Sequence, residues 1–331
     1  MNTIYLKYLT SYKFKNYLKS RLSYNKSIGK TTNLNPPLPW ALSIEPNNTC
    51  NLNCIACPVG NNSLSRDTGY MDIQVFKNII SQTKKHLIYL NLYFQGESLL
   101  HPQIGKMIEI AHNNNIYTCI STNGQLIKQN IENIVDSGLN KLIISVDGLK
   151  EDTYQTYRKG GTLKNITQGI EKLNAYKNTH NKKNPHIEIQ FIVMNHNQHE
   201  IRNLSKFKKQ FKTNSKRLKS VQIYSMNNIN LLPDIEKYCR YRIVDSKLII
   251  KGNLRNQCYR MWSSSIITWD GNVLPCCFDK DAKHIMGNLK NNSFKEIWYN
   301  KRYYDFRKNI YTFRKGITMC NNCTEGLNIR Y

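Results

Sequence analysis

Residues 87–97 read L-I-Y-L-N-L-Y-F-Q-G-E. The first eight form a nearly continuous apolar run, the mark of a strand buried on both faces in a parallel sheet. The next three change character at once: an amide, a glycine and an acid. The same alternation recurs in both directions. "ALSIEP" (41–46) is a short apolar strand, and Asp72 caps a helix with Ile73, Phe76 and Ile80 on one face. Pro102 opens a helix with Ile104, Met107 and Ala111 facing inward. "IYTCIS" (116–121) is a strand, and a helix over 126–137 stops before Gly138. "LNKLIISV" (139–146) is a strand, and a helix over 162–177 carries Leu163, Ile166, Ile170 and Leu173 in phase. "IEIQFIV" (187–193) alternates, "IRNLSKFKKQF" (201–211) is helical and "VQIYS" (221–225) is a sixth strand.

A β-α unit repeated about six times predicts an α/β protein with a parallel sheet. A partial barrel and a doubly wound sheet both fit. No G-x-G-x-x-G follows the first strand, which disfavours the dinucleotide-binding version. Beyond 226 the pattern stops. Residues 258–326 are turn-rich and hold five of the ten cysteines, so they are expected to form a small separate domain built around metal. The expected division is a basic arm and linker (1–39), a barrel domain (40–226), a linker (227–257) and the cysteine-rich domain (258–326).

The chain has 331 residues and a net charge of +26. Seven Lys/Arg and no acid fall in residues 1–44, and eight with no acid in 202–219; without these fifteen, 26 − 15 leaves +11. A chain rich in Asn, Ile, Lys and Tyr carries such a bias from an A/T-rich genome alone. No nucleic-acid-binding signature accompanies the charge. Residues 4–24 are helical, basic and aromatic without a defined apolar face. A helix packed on the body is the preferred reading, and peripheral contact with an anionic membrane is the other. "NLNPPLP" (33–39) is a stiff linker. No secretory signal or membrane-spanning run is seen, so a cytoplasmic protein is expected. Its cysteines are then metal ligands and core thiols rather than disulfides.

"TCNLNCIACPVG" (49–60) follows the first strand and places Cys50, Cys54 and Cys57 within eight positions. A structural zinc or a ferredoxin cluster takes four ligands. This Cys-x3-Cys-x2-Cys resembles the signature of the radical S-adenosylmethionine (SAM) superfamily. The resemblance implies a TIM-like partial (β/α)6 barrel and a 4Fe–4S cluster held by these three cysteines. The fourth iron is left for SAM, since a fourth thiolate would block it. Reductive cleavage of SAM then yields a 5′-deoxyadenosyl radical that takes hydrogen from a substrate. Gln95-Gly96-Glu97 resembles the family's Gly-Gly-Glu motif, with Gly96 letting backbone approach SAM and Glu97 accepting from its ammonium. Ser121 and Asn123 in "STNG" follow the third strand. Ser145 and Asp147 in "SVDG" resemble the family segment near the SAM ribose and carboxylate. All stand at C-terminal strand ends, where barrels place their sites. Arg158 matches a position that reaches the SAM carboxylate, although an arginine solvated at a helix end is the plainer reading. Gln190, on the polar face of "IEIQFIV", would line the lumen. Two departures stand out: Ala56 replaces an aromatic residue, and Ser98 a proline.

The C-terminal cysteines are Cys258, Cys276, Cys277, Cys320 and Cys323. Gly271-x4-Cys276, "GNL", "EIW" and Cys-x2-Cys resemble a reduced SPASM domain of the single-cluster "twitch" form. This implies one auxiliary 4Fe–4S cluster on Cys258, Cys276, Cys320 and Cys323, with zinc as the alternative. Only one of the adjacent pair Cys276 and Cys277 is expected to be a ligand, because neighbouring side chains in an extended segment diverge. Cys119, in a strand, and Cys239, in a polar helix, are read as ordinary thiols.

The implied cofactors are therefore SAM and two 4Fe–4S clusters, one SAM-binding and one auxiliary. The implied partners are an external low-potential donor such as flavodoxin or ferredoxin, and an unidentified small-molecule or peptide substrate. The expected reaction is net oxidation through the auxiliary cluster, either dehydrogenation of a small alcohol or sugar, or modification of a peptide or protein. The competing class is a non-catalytic, zinc- or cluster-bearing basic protein that binds nucleic acid. It leaves the strand-end motifs unexplained.

Overall fold

The computed structural model describes residues 3–245 and 247–327, so Met1 and Asn2 of the predicted arm lie outside it. Thr10 caps α1 (Ser11–Ser27) by accepting from Lys13 N. The helix lies on the body. Asn16 Nδ2 donates to Leu38 O at 2.8 Å and Ser20 Oγ to Trp262 O at 2.9 Å. Its inward face is thus polar and hydrogen-bonded, while Phe14, Leu18 and Leu22 point outward among Lys15, Lys19 and Lys26. That inversion is why no apolar stripe toward the protein is legible in its sequence.

The alternating body follows: β1 (Ala41–Ile44), α2 (Ile73–Thr83), β2 (Tyr89–Asn91), α3 (Ile104–Asn113), β3 (Tyr117–Thr122), α4 (Ile131–Val135), β4 (Lys141–Ser145), α5 (Glu151–Tyr157), α6 (Leu163–Thr179), β5 (His186–Val193), α7 (Leu204–Gln210) and β6 (Ser215–Ser220). Asp72 caps α2 by accepting from Gln74 N and Val75 N. The six strands are parallel and neighbour one another in chain order. That order contains no reversal, so the sheet is a partial barrel and not a doubly wound one. Leu90, Ile120, Leu142, Ile187, Ile189 and Phe191 face the helices in one core with Ile104, Ile166 and Ile170.

Several boundaries differ from expectation. The sixth strand is Ser215–Ser220 rather than 221–225. It pairs only with β5, and Lys216, Arg217 and Lys219 are exposed, so it is a charged strand without an apolar signal. The helix expected over 126–137 is a 3-10 turn, Lys128–Asn130, followed by the five-residue α4. The span 227–257 is not a bare linker: β7 (Tyr241–Val244) and β8 (Lys247–Ile250) form an antiparallel hairpin there. Cys239 lies just after a 3-10 turn, Glu236–Tyr238, not within a polar helix.

The C-terminal elements are α8 (Arg260–Ser263), β9 (Ser264–Ile267), β10 (Asn272–Leu274), β11 (Gly287–Asn288), α9 (Phe294–Tyr299) and α10 (Lys301–Phe313). They extend the barrel's own sheet. β9 pairs parallel with β1 from Ala41↔Ser264 to Ile44↔Ile267, and β10 and β11 continue the ladder antiparallel. One nine-stranded sheet, β11-β10-β9-β1-β2-β3-β4-β5-β6, carries both cysteine sets.

Candidate active site

Cys50, Cys54 and Cys57 lie on the loop leaving the C-terminal end of β1. The turn closes through Cys57 N donating to Cys54 O at 3.1 Å. Gly60 backs it, since a Cβ there would sit 2.5 Å from Cys54 N. Arg66 anchors the loop's far end. Its Nη1 and Nη2 grip the fully buried Glu45 at 2.9 and 2.7 Å, and its Nε donates to Lys280 O at 2.8 Å. Ser65 N and Oγ donate to Asp281 Oδ1 at 3.0 and 3.1 Å. The first cysteine loop is therefore stitched to the segment just after Cys277.

All three thiols are free of disulfides. Burial pushes the Cys50 thiol up to about 11 and raises that of Cys54. Yet two of the sulfurs have N–H donors aimed at them. Asn123 Nδ2 lies 3.7 Å from Cys50 Sγ, and Arg158 Nη1 lies 3.7 Å from Cys54 Sγ. Donors of this kind suit thiolates, the form that iron makes of a buried thiol. Among the described residues no group of three or more His, Cys, Asp or Glu side chains closes on one ion. A cubane asks for a different arrangement, one thiolate per iron.

The strand-end motifs surround this loop. Gly96 has φ +75°, and a Cβ there would meet Thr49 O at 2.6 Å. Glu97 is buried, with Oε1 accepting from Leu99 N at 3.0 Å and Oε2 from Asn123 N at 2.7 Å. Burial raises its pKa. Both its oxygens are thus engaged by backbone, so it clamps the turn after β3 to the turn after β2, a task beyond the expected contact with an ammonium. Asn123 Nδ2 also donates to Asn51 Oδ1 at 2.7 Å. Ser98, in the usual proline position, donates Oγ to Leu92 O at 2.7 Å and so stitches the same turn.

Asp147 is fully buried, and Oδ2 pairs with Arg158 Nη2 at 2.5 Å and Nε at 2.7 Å, while Oδ1 accepts from Ile192 N at 2.7 Å. Arg158 is therefore not solvated at a helix end. Burial is the largest single influence and opposes its charge, but Asp147 together with the Cys54 thiol and the Tyr157 and Tyr154 hydroxyls more than offsets it and keeps the guanidinium protonated. Asp147, Arg158 and Cys54 form a line running from strand β4 into the cysteine loop. Ala56 joins an apolar cluster with Leu52, Tyr157, Met194, Val221 and Ile223.

Strand register identifies the lumen face. Ser121 pairs with Ile143, which pairs with Glu188; Ser145 pairs with Gln190, which pairs with Arg217. Ser121, Ser145 and Gln190 make no side-chain hydrogen bond among the described residues, so their polar atoms face the lumen unengaged. Glu188 lies deeper, paired with Lys141 at 2.9 Å and Arg217 at 3.2 Å.

In the second set Cys258, Cys276, Cys320 and Cys323 are buried and Cys277 is half-buried. Burial pushes the Cys258 thiol up to about 12 and the Cys320 thiol up to about 11. Arg314, only 2 % exposed, donates Nη2 to Cys323 Sγ at 3.6 Å and Nη1 to Gln257 O at 2.6 Å. Arg260 reaches Cys277 Sγ at 3.7 Å and Glu325 Oε2 at 3.0 Å. Sequence reasoning passed over Arg66, Arg260 and Arg314, since an isolated arginine in a basic chain carries no signal. Cys119 and Cys239 belong to neither set: Cys119 is buried within β3, and Cys239 Sγ contacts Tyr241 O at 3.4 Å. A groove of about 1110 Å³ lies elsewhere, between α1, the 32–38 linker and the end of α2.

Two family profiles match the chain: the radical SAM superfamily over residues 44–207 and the SPASM iron–sulfur cluster-binding domain over 258–324. The chain belongs to the radical SAM superfamily and is an enzyme of that class, binding SAM and 4Fe–4S clusters. The tungsten-containing aldehyde ferredoxin oxidoreductase cofactor-modifying protein of Pyrococcus furiosus is 23% identical over 298 residues, covering 80% of this chain and 82% of that protein. The SAM-dependent 2-deoxy-scyllo-inosamine dehydrogenase of Niallia circulans is 21% identical over 290 residues, covering 85% and 91%. Among solved structures, Streptococcus suis SuiB bound to precursor peptide SuiA superposes with a TM-score of 0.64 at 17% identity, covering 93% of this chain and 75% of that one. BtrN with AdoMet and 2-DOIA gives 0.53 at 19% identity, covering 87% and 94%. These structural likenesses bear on the fold. Among the described residues no helix is long and apolar enough to cross a membrane.

Proposed function

We propose that this enzyme is an oxidoreductase that dehydrogenates a small alcohol or sugar, with the second cysteine set as electron acceptor. Cys50, Cys54 and Cys57 hold the SAM-binding cluster, and Cys258, Cys276, Cys320 and Cys323 hold the auxiliary one. When bound, the first cluster and SAM supply a radical that removes hydrogen; the chain's own residues bind, orient and exclude water. Gly96, Ser121, Asn123, Ser145 and Gln190 line the SAM side, while Glu97, Asp147 and Arg158 position the loop that carries the cysteines. One observation carries the reading. β9 pairs directly with β1, and Ser65 and Arg66 bind the segment after Cys277, which ties the two cysteine-bearing segments together and supports electron passage between them. Four thiolates leave no open iron, which suits passing electrons rather than binding substrate.

The dehydrogenase relative, matched over most of its length, supports a small molecule. Peptide modification is the second reading, favoured by the likeness to a peptide-bound neighbour. A flavodoxin or ferredoxin supplies the first electron. Contact with an anionic membrane, if made, uses the outer face of α1 with Phe14, Leu18 and Leu22. The test is anaerobic reconstitution with iron and sulfide, then addition of SAM and dithionite. Formation of 5′-deoxyadenosine is expected; a fully loaded protein that yields none sinks the reading.

A further inference from the structure

We propose that α1 seats this enzyme on an anionic lipid surface, its apolar outer stripe lying in the bilayer interface and the lysine-lined groove beside it taking lipid phosphates. This gives the membrane contact named above a site and a lipid class, and it stands apart from the reaction.

Helix geometry sets out the faces. With residues spaced at about 100° around the axis, the inward side of α1 is marked by Asn16, Tyr17, Ser20 and Ser27, all buried. Phe14, Leu18 and Leu22 stand one turn apart on the far side and are 45, 41 and 58 % exposed. They form a line about 12 Å long. Lys15, Lys19 and Lys26 border that line on one flank and Arg21 on the other, all exposed. Residues 1–44 hold no Asp or Glu to offset them. A single exposed leucine is ordinary on a protein surface. Three apolar side chains in line are another matter. They are turned away from a face fastened by hydrogen bonds to Leu38 and Trp262, and in water they gain nothing there.

The groove continues this surface. Leu22 lines it, and so do Lys19, Lys26 and Lys30 from the arm, Lys85 just after α2 and Lys295 on α9. Its cations come from three separate segments, and none of its lining residues is acidic. An anionic bilayer satisfies both features together: leucine and phenylalanine bury at the acyl boundary while the lysines meet the phosphates. Lysine's flexible stem lets the charge reach a headgroup while its methylenes stay beside the apolar side chains. An acidic protein would meet the charge, but it would need a concave apolar surface to fit a convex helix. The placement of α1 suits a bilayer as well, because the helix crosses the floor of the barrel. Lys13 Nζ donates to Asn115 O at 2.6 Å, just before β3, and Tyr17 packs edge-on against Trp40, just before β1, with ring centroids 5.4 Å apart. Both contacts lie at N-terminal strand ends, whereas the cysteine loop leaves the C-terminal end of β1. A membrane under α1 therefore leaves the mouth of the lumen facing water.

The test is flotation of the anaerobically reconstituted enzyme with vesicles of phosphatidylcholine alone and with about one-third phosphatidylglycerol. Binding to the anionic vesicles is expected to be about tenfold tighter or more, and to fall as salt is raised. Leu18→Ser with Leu22→Ser is expected to weaken it about tenfold or more. Lys85→Gln with Lys295→Gln, which alters no residue of α1, is expected to weaken it by about fivefold per charge. If the leucine variant fails to retain its iron, the lysine variant decides. Lys164→Gln removes an exposed charge at the start of α6, on the mouth side, and is expected to leave binding unchanged. Equal binding to both kinds of vesicle overturns the anionic lipid surface as the occupant. Anionic binding that survives both double variants overturns the site. A wild type that sediments as a dimer and ignores vesicles, with a monomeric leucine variant, makes the stripe a contact between copies of this chain and overturns the proposal as well. Flotation needs no turnover, so its failure leaves the SAM cleavage assay to judge the reaction on its own.

Discussion

Arg314 points Nη2 at the Cys323 sulfur from 3.6 Å, and among the described residues no carboxylate neutralises it. Behind Cys54 the arrangement is opposite: Arg158 makes the equivalent contact but is paired with Asp147 at 2.5 Å. A buried, uncompensated positive charge favours the more reduced, more negative state of a nearby cluster. Replacing Arg314 by Gln is therefore expected to lower the midpoint potential of the auxiliary cluster by roughly 60 mV, a tenfold change for one electron. A redox titration followed by electron paramagnetic resonance reads this directly. An unmoved potential would leave Arg314 a packing residue.

The same logic runs in reverse at the first set. Asp147→Asn leaves Arg158 unneutralised beside Cys54, so the potential of the SAM-binding cluster is expected to rise. With the cluster kept fully reduced by excess dithionite, cleavage then slows, because a less reducing cluster drives the sulfonium less well. The measurement is the midpoint potential with the rate of 5′-deoxyadenosine formation. A lowered potential would contradict the charge argument.

Glu97→Gln replaces one carboxylate oxygen with an NH2 group that cannot accept from a backbone N–H. One of the bonds to Leu99 N and Asn123 N is lost, at a cost of about 1–3 kcal/mol. The variant is expected to melt at a lower temperature as well as bind SAM more weakly. Weak SAM binding at an unchanged melting temperature would instead make Glu97 a direct ligand contact and nothing more.

Only one of Cys276 and Cys277 is expected to bind the auxiliary cluster. Cys276 is buried, while Cys277 is half-buried and faces Arg260. Cys276→Ala should lose or badly perturb the auxiliary paramagnetic signal, and Cys277→Ala should keep it. The reverse pattern assigns the iron to Cys277.

Removing Cys50, Cys54 and Cys57 together is expected to reduce iron from roughly eight atoms to roughly four and abolish SAM cleavage. Residual 5′-deoxyadenosine in that variant would remove the loop from the chemistry.

The parallel body was legible because its strands are apolar on both faces and its helices keep an inward stripe, as Ile104, Met107 and Ala111 do. The cysteine spacing and the glycine-bearing strand ends were equally readable, since each needs particular residues at particular offsets. Three kinds of feature were hidden. Strand β6 looks like a charged loop, because its face is solvated and its edge unpaired. Helix α1 is fastened by polar atoms, which hydrophobic periodicity does not register. Arg158 and Arg314 act through partners distant in the chain, Asp147 eleven residues away and Cys323 nine, and nothing local distinguishes them from surface arginines. The way the C-terminal segment joins the barrel's sheet was hidden for a related reason: a four-residue strand such as β9 gives no hint that its neighbour is β1.

That pairing has a consequence for how the chain is made. β1 closes its sheet on one side with β2, some forty-five residues downstream, but on the other side only with β9, more than two hundred residues later. Throughout synthesis of the intervening polypeptide, β1 presents an unpaired edge whose hydrogen-bonding groups are open to other nascent chains. The loop bearing Cys50, Cys54 and Cys57 leaves that same strand. Assembly of the first cluster is then best timed after the last third of the protein has emerged, and a chain cut before residue 264 would accumulate as aggregate rather than as a smaller working enzyme.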